Sequence, residues 1–526
     1  MLILLSPVMQ FRTAYTQPSY LPLNRDVMNH FEETPADANA TSRFHTSIKP
    51  YLETEANEFF SPDSYRDDSL KNASNPKPFE FNNKILGRKG GFASLAILPL
   101  FELQAGWDAF DGIMILKTGL GAMAAGSIGT KISLNAAYFA GNAGFVNYLD
   151  SFIQENEVIP GLGYAHKTKT GYANSYYDGY ISYSPSEKFN FQLGQGKNFW
   201  GNGYRSLLLS DLANSYPFLK ITTNVWKIKY INLYAVLNDV HNSGGKYSAF
   251  KNKYATFHYL SWNTTKWLNI GLFESIIWQG ADSSGTRGYD VNYLNPVIFY
   301  RPVEYSLGSS DNALMGANVK IQITGKLQLY GQLILDEFFL KEIRAQNGWW
   351  ANKQGFQAGI KGMDLFKIKG LCFQTEFNYV RPYTYSHGLA LQNYSHYNQP
   401  LAHPLGSNFY ESVSFLSYRR QRLLLEAMLM YAVHGDDTSG SNWGGNIFLD
   451  YKSPRVQDYG NKVGQGIKTT IAVEGIRASY LVYLPTNFKI ELGIAMRSKV
   501  SDVINEYSVL IFFGIRTAIT NIYSDF

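Results

Sequence analysis

The sequence predicts an all-β transmembrane fold, a large antiparallel outer-membrane β-barrel of about 18 strands with a small, partly helical N-terminal region. Three observations lead to this prediction. Apolar and polar residues alternate along many short segments, and aromatic residues reach 15% while charged residues stay at 17%. No stretch approaches the roughly 20 consecutive apolar residues that a spanning helix needs. A closed barrel is the remaining way to cross lipid with every backbone group paired.

The composition also excludes some partners. Soluble domains carry roughly 25% charged residues, more than this chain has. Its 38 tyrosines and 34 phenylalanines suit aromatic girdles at two membrane interfaces. The net charge of +5 is spread along 526 residues without a basic tract, so no nucleic-acid partner is expected. A single cysteine excludes an intrachain disulfide.

The first residues, MLILLSPVMQFRTAY, contain a short apolar core without a preceding basic residue. We interpret residues 1–16 as the remnant of a signal peptide, with cleavage near Thr16 or Gln17. The prediction is export, and the expected location is the cell outer membrane.

Residues 17–85 differ from the rest of the chain. They are rich in acidic residues, Asn and Pro and show no strand alternation. Short helical turns are predicted around Arg25–Glu33 and Tyr51–Phe60. We expect this part to be a periplasmic or lumen-plugging region and residues 86–526 to form the barrel.

The clearest strand is Glu506–Arg516, EYSVLIFFGIR. Its apolar face consists of Tyr507, Val509, Ile511, Phe513 and Ile515. Such period-2 alternation places one face against lipid and the other against the lumen.

Other segments repeat this pattern. Val319–Thr324 and Leu327–Leu335 flank Gly325–Lys326, which predicts a hairpin with a tight turn. In Phe488–Val500, Lys and Glu lie opposite an apolar stripe, which predicts a polar interior. Less regular candidates are Tyr230–Leu237 and Gln421–Val433.

Four longer irregular segments interrupt the strands. A barrel of sixteen or eighteen strands encloses an aqueous lumen unless loops or the N-terminal region fill it. We expect these segments to fill the lumen or to lie outside the membrane: Phe145–Tyr172, Gln195–Tyr216, Gln279–Asn312 and His387–Asn408.

The densest local motif is GQGKNFWGNGYRSLLLSDLANSYPFLK, from Gly194 onward. It is not a phosphate loop, because Asn198 follows Lys197 where Ser or Thr is needed. Aromatic faces and a bidentate Arg suit sugar rings and acidic sugar carboxylates. The candidate ligand-binding residues are Lys197, Trp200, Tyr204, Arg205 and Asp211. The alternative is a rigid turn or constriction.

Further candidates come from three other segments. Arg301 and Glu304, in NPVIFYRPVEYSLGSSDNALMG, could bind a ligand or simply pair with each other inside the barrel. Trp349 and Trp350 could contact a ligand or belong to an interface belt. Arg381 opens RPYTYSHGLALQNYSHYNQPLAHPLGSNF and is a fifth candidate here.

Neither a metal site nor a catalytic site is predicted. The histidines His387, His396 and His403 do not have zinc-ligand spacing. Asp436 and Asp437 lack the remaining calcium ligands. No G-x-S-x-G motif is present. We therefore expect no cofactor, no metal and no enzymatic activity.

The motifs beginning at Gly194, Asn295 and Arg381, together with SYLPLNRDVMNHFE near the N-terminus, resemble the RemB-type gliding-motility proteins of Bacteroidota. Those proteins are grouped with the Wzi-like capsule assembly family. The resemblance extends from about Ser19 to Phe526. It implies an outer-membrane barrel with a helical periplasmic part and a role in surface polysaccharide biology.

Three functions follow from these predictions. The first is a non-enzymatic barrel for surface polysaccharide assembly or attachment, for gliding motility, or for both. Its expected partners are outer-membrane lipid, surface polysaccharide and other envelope or motility proteins. The second is a passive channel or a transport or secretion partner, and the third is a barrel hydrolase. A filled lumen would argue against the channel.

Overall fold

Eighteen antiparallel strands close into a β-barrel. This architecture is that of a computed structural model, which describes residues 19–32, 44–59, 93–282, 285–297, 311–452 and 454–526. The predicted all-β barrel is confirmed, including the expected number of strands. No helix in these described ranges is long and apolar enough to cross a membrane.

The strands follow one another around the wall. In chain order they are β1 (Ala93–Asp108), β2 (Ile113–Ile128), β3 (Ile132–Ala143), β4 (Gly171–Ser186), β5 (Phe189–Gly196), β6 (Tyr216–Val225), β7 (Ile228–Asp239), β8 (Lys251–Asn263), β9 (Leu268–Gln279), β10 (Asn312–Thr324), β11 (Leu327–Leu335), β12 (Gln354–Gly362), β13 (Leu371–Val380), β14 (Phe409–Arg420), β15 (Leu423–Asp436), β16 (Ile467–Tyr483), β17 (Phe488–Val500) and β18 (Asn505–Thr517). The described helices are α1 (Arg25–Glu32), α2 (Glu53–Phe59), α3 (Asn147–Asn156) and α4 (Leu340–Ala345).

Closure comes from pairing of the first and last strands. Leu103 of β1 lies opposite Ile515 of β18, and the intervening strands each pair with their chain neighbours. Closing the sheet leaves no edge strand with unpaired backbone groups facing lipid.

The predicted alternation is confirmed in the strands where it is clearest. Phe513 of β18 and Leu492 of β17 point outward and are exposed. On the opposite face of β17, Lys489 and Glu491 are buried in the lumen. These strands thus present apolar side chains to lipid, and β17 presents polar ones to the interior.

The two ends of the barrel differ in their connections. At one end, the short-turn end, the turns are residues 129–131, 187–188, 226–227, 264–267, 325–326, 363–370, 421–422 and 484–487. At the other, the long-loop end, the longer connections are residues 144–170, 197–215, 240–250, 280–311, 336–353, 381–408 and 437–466. Bacterial outer-membrane barrels place short turns in the periplasm and long loops outside the cell.

Helices α1 and α2, at positions predicted to be helical, contact lumen-facing side chains near the short-turn end. Asp26 accepts from Arg477 at 2.9 Å and from Lys489 at 2.6 Å. Glu32 contacts Lys361 at 3.1 Å. These ion pairs hold the described part of the N-terminal segment, residues 19–32 and 44–59, inside the barrel.

Strands β7–β9 reverse the usual distribution of side chains. Their inward row is apolar, with Leu233, Phe257 and Phe273 fully buried in the main core cluster. Their outward row includes the buried polar residues Asn232 and His258, joined by a 2.7 Å hydrogen bond.

Residues 289–297 cover this outward face. The hydroxyl of Tyr230 donates to the Pro296 carbonyl at 2.6 Å, and that of Tyr234 to the Leu294 carbonyl at 2.9 Å. Polar groups are tolerated here because protein, rather than lipid, meets them. This cover accounts for the weak alternation of Tyr230–Leu237 in the sequence.

On the lipid-facing side of the barrel, a charged substitution should destabilise the protein more in the middle of the membrane than near its surface. Leu120, in the middle of β2, is 75% exposed, and Met114, on the same face near the strand end, is 73% exposed. We expect Leu120→Arg to cost about 2–4 kcal/mol of unfolding free energy and Met114→Arg about 0–1 kcal/mol. Urea unfolding in lipid vesicles measures both, and equal costs would contradict a lipid-facing β2.

Candidate functional site

The loop between β5 and β6, residues 197–215, crosses the lumen. On one side Trp200 stacks on Tyr259 of β8, with ring centroids 5.3 Å apart. On the other, the backbone amides of Tyr204 and Arg205 donate to Glu376 of β13 at 2.8 and 3.0 Å. Contacts to wall strands five positions apart show that this inner loop lies inside the barrel.

Two glycines allow the inner loop to lie against the wall. Gly201 has φ +152°, and a Cβ there would lie 2.4 Å from the Gln332 side-chain amide. A Cβ at Gly203 would lie 2.7 Å from a Glu376 carboxylate oxygen. Larger residues would push the loop off the wall.

The N-terminal segment and the inner loop pair with each other. Ile48–Lys49 forms a two-stranded antiparallel ladder with Phe199–Trp200, and the Gly201 amide donates to the Ser47 carbonyl at 2.8 Å. The two inner parts of the chain therefore form one connected plug.

Arg205 lies at the centre of a buried charge network. Its guanidinium contacts Glu411 of β14 at 3.0 Å and Asp525 at 3.0 Å. Tyr204 donates its hydroxyl to Asp525 at 2.9 Å. His403 contacts Glu411 at 2.8 Å, and burial lowers the pKa of His403, which favours the neutral ring.

The other polar candidates of this loop also have partners within the plug. Asp211 accepts from Asn521 at 2.7 Å and from Tyr523 at 2.8 Å. The Lys197 ammonium donates to the carbonyls of Gly161 and Asp211 at 2.7 and 3.2 Å. Residues 518–526, the tail, are thereby drawn into the lumen.

These contacts agree with the structural alternative for the inner loop. Lys197 is partly buried, Arg205 and Asp211 are buried, and all three are occupied by protein groups. Trp200 is fully buried, and its indole nitrogen has no hydrogen-bond partner among the described residues. Ligand binding by these residues stays a prediction.

A second cluster lies at the long-loop end and is half-exposed. Trp350 packs on Tyr451 with ring centroids 4.8 Å apart, and the Arg455 guanidinium lies 4.0 Å above the Trp350 ring. Trp349 is adjacent, 6.1 Å from Trp350. We call Trp349, Trp350, Tyr451 and Arg455 the rim cluster.

The loops 336–353 and 437–466 meet to form the rim cluster. The Trp350 amide donates to the Asp458 carbonyl at 2.9 Å. Gly348 has φ +70°, and a Cβ there would lie 2.7 Å from the Asn461 amide. Glycine therefore permits both the turn and the close approach of the second loop.

Arg381 supports this region from below. Its guanidinium donates to the carbonyl oxygens of Asn352 at 2.8 Å and Trp349 at 3.3 Å. It contacts backbone rather than open space, which orients the two tryptophans. A direct ligand contact by Arg381 stays a prediction.

The rim cluster combines aromatic ring faces with the Arg455 cation, and an anion lies beside it. Arg455 also contacts the exposed Asp458 at 2.5 Å. Flat aromatic faces beside charged hydrogen-bonding groups suit sugar rings. Burial lowers the pKa of the neighbouring His387 to about 4, so that this ring is neutral near pH 7.

The sequence pointed to two members of the rim cluster and missed the other two. Trp349 and Trp350 form a visible GWW motif. Tyr451 and Arg455 lie in a different loop whose sequence has no motif, so their contribution depends on how the loops meet.

The predicted pair Arg301 and Glu304 lies outside the described residues. Within the described ranges, no group of three or more His, Cys, Asp or Glu side chains could hold a metal ion. Asp437 instead accepts from the amides of Trp443 at 2.5 Å and Asn446 at 3.0 Å, closing a loop.

Two histidine pairs bear on the hydrolase alternative. His45 contacts the Ser261 hydroxyl at 2.8 Å, but both side chains are buried away from any substrate. At the long-loop end His434 contacts Asp436 at 2.7 Å. No serine hydroxyl of the described chain is hydrogen-bonded to His434.

We compared the chain with protein families, curated proteins and solved structures, and one solved structure supports the fold. No protein-family model matches the chain. No curated protein matches it either. Among solved structures, it is similar to Wzi of Escherichia coli, described as an outer-membrane protein involved in group 1 capsule assembly and as a carbohydrate-binding β-barrel. That likeness has a TM-score of 0.56 at 12% identity and covers 96% of this chain and 100% of Wzi.

The chain is an outer-membrane β-barrel. At 12% identity, the likeness to Wzi concerns the fold. OpdK of Pseudomonas aeruginosa, solved with vanillate, gives a TM-score of 0.45 at 10% identity, covering 81% of this chain and 99% of OpdK.

The charge network predicts a stability cost. Arg205→Met leaves Glu411 and Asp525 buried without their shared cation, which we expect to cost about 3–5 kcal/mol of unfolding free energy. Arg420→Met, at the exposed end of β14, is the matched control and should change little. Denaturant unfolding of both variants checks this, and similar losses would argue against the network.

Proposed function

We propose that this chain is a Wzi-like, non-enzymatic outer-membrane protein that binds surface polysaccharide at its long-loop end. The observation that carries the proposal is the rim cluster, which presents ring faces and charges on the side of the barrel that faces out of the cell. The work of such a protein would be the assembly or attachment of capsule or exopolysaccharide. A role in gliding motility, and membership of the RemB-type proteins, belong to the same proposal.

The filled lumen supports binding over passage. The inner loop contacts β8 on one side and β13 on the other through Trp200 and Tyr204. Leu207, Leu208 and Leu209 between them are fully buried. A packed plug inside the barrel opposes passage of a solute, which makes the channel function the weaker candidate.

We further propose that residues 1–16 are a signal peptide remnant, residues 17–85 a periplasmic or lumen-plugging region and residues 86–526 the barrel. The ion pairs of Asp26 and Glu32 with wall residues support this division. Direct ligand contacts by Lys197, Trp200, Tyr204, Arg205, Asp211 and Arg381 would require the plug to open, so we place the ligand at the rim cluster first.

Removing one ring face tests the proposed polysaccharide site. We expect Trp350→Ala to weaken binding about five- to tenfold, because an aromatic contact contributes roughly 1–1.5 kcal/mol. Trp226→Ala, which removes an exposed tryptophan at the short-turn end, should bind like the unaltered protein. Glycan arrays with detergent-purified protein measure both.

The competing channel function has its own test. In planar bilayers we expect the unaltered protein to lack the large conductance of an open 18-strand pore. Replacing residues 200–211 with a Gly/Ser linker should create such conductance, while the same replacement at the peripheral loop 241–246 should not. Large conductance in the unaltered protein would favour the channel.

A further inference from the structure

The short-turn end carries an excess of basic residues. Its turns and their flanks contain Lys131, Lys188, Lys227, Lys266, Lys326, Lys367, Lys369, Arg419, Arg420 and Arg422, which we call the basic belt. The acidic residues in the same segments are Glu187 and Asp364. This imbalance gives that rim of the barrel a positive charge.

The opposite end provides the comparison. Its two tightest turns, residues 109–112 and 501–504, contain Asp111 and Asp502 and neither Lys nor Arg. The basic excess is therefore a property of one end of the barrel, not of its tight turns in general.

Exposed aromatic side chains stand directly beside four cations of the belt. The pairs are Phe189 with Lys188, Trp226 with Lys227, Trp267 with Lys266 and Phe366 with Lys367. Trp226 and Phe366 are 75% and 86% exposed. Aromatic rings favour the membrane interface, and long cationic side chains beside them reach the headgroups.

Several cations of the belt have exposed side chains. Lys188, Lys367, Lys369 and Arg420 are exposed. The Lys227 ammonium lies 5.4 Å from the centre of the Trp226 ring, so the cation and the ring point to the same region. Lys326 contacts Asp364 at 2.9 Å and is still mostly exposed.

We infer that the basic belt binds the anionic headgroups of phospholipids in the periplasmic leaflet. Each cation near such a surface adds to the attraction, and the adjacent rings continue the lipid-facing wall. An acidic soluble protein would satisfy the charges but would leave Trp226, Trp267 and Phe366 exposed to water. The combination therefore favours lipid as the occupant.

Native mass spectrometry of the detergent-purified full chain tests this inference. The probes are phosphatidylglycerol and phosphatidylethanolamine in equal amounts, and the readout is the ratio of the two bound lipids. We expect the unaltered protein to prefer phosphatidylglycerol. Combining Lys188→Gln, Lys227→Gln, Lys266→Gln and Lys367→Gln should lower the ratio about fivefold or more.

Matched variants separate position from net charge. The control variant replaces four exposed lysines at the long-loop end with Gln: Lys167, Lys169, Lys462 and Lys468. It removes the same amount of charge as the belt variant and should leave the ratio of bound lipids unchanged. Changing the four belt lysines to Arg should keep the preference. Heat-modifiable mobility on gels confirms folding, and if the quadruple Gln variant does not fold, its four single variants should each lower the ratio in part.

Three results would overturn the inference. One is an unchanged ratio of phosphatidylglycerol to phosphatidylethanolamine in the Gln variants, which would indicate that the belt binds an acidic protein instead of lipid. Another is an equal loss in the long-loop control. The third is abolition of the preference by excess inorganic phosphate, which would assign the belt to free phosphate instead of bilayer lipid.

Discussion

The structure depends on ion pairs that join the plug to the inner face of the barrel wall. A buried ion without a partner costs several kcal/mol, a large share of the total stability of a typical fold. Asp26 meets Arg477 and Lys489 near the short-turn end. Arg205 meets Glu411 and Asp525 deeper in the lumen. The wall and the plug therefore require each other.

This requirement explains how three separate parts of the chain form one plug. The N-terminal segment pairs with the inner loop through Ile48 and Trp200. The tail joins the same loop through Asp525 and Arg205. Each part supplies groups that another part lacks, so that removing one leaves unpaired groups in the remaining two. The lumen is thus filled by specific contacts.

Sequence periodicity predicted the wall well where lipid alone meets its outer face. The apolar stripes of β17 and β18, and the polar stripe of β17, could be assigned residue by residue. In β7–β9 the rule failed, because residues 289–297 cover the outward face and allow Asn232 and His258 to point away from the lumen. A pattern within one strand carries no information about a loop that lies over it.

The candidate site shows the same limit. The GWW motif brought Trp349 and Trp350 to notice, yet Arg455 and Tyr451 join them only when two loops meet at the rim. The candidates around Arg205 were recognised as a cluster, but their carboxylate partners come from β14 and the tail. The sequence could suggest which residue types form the candidate site. Which residues they contact depends on how distant parts of the chain meet in the fold.

Because residues 289–297 cover β7–β9, the outer surface of the barrel is not the same on all sides. A barrel whose outer surface is apolar all the way round looks the same to neighbouring membrane proteins from every side. Here the arc under residues 289–297 offers protein surface, and the rest offers hydrocarbon-facing side chains. Rotation about the barrel axis therefore changes what an adjacent molecule meets, and crowding in the membrane can favour one orientation over others.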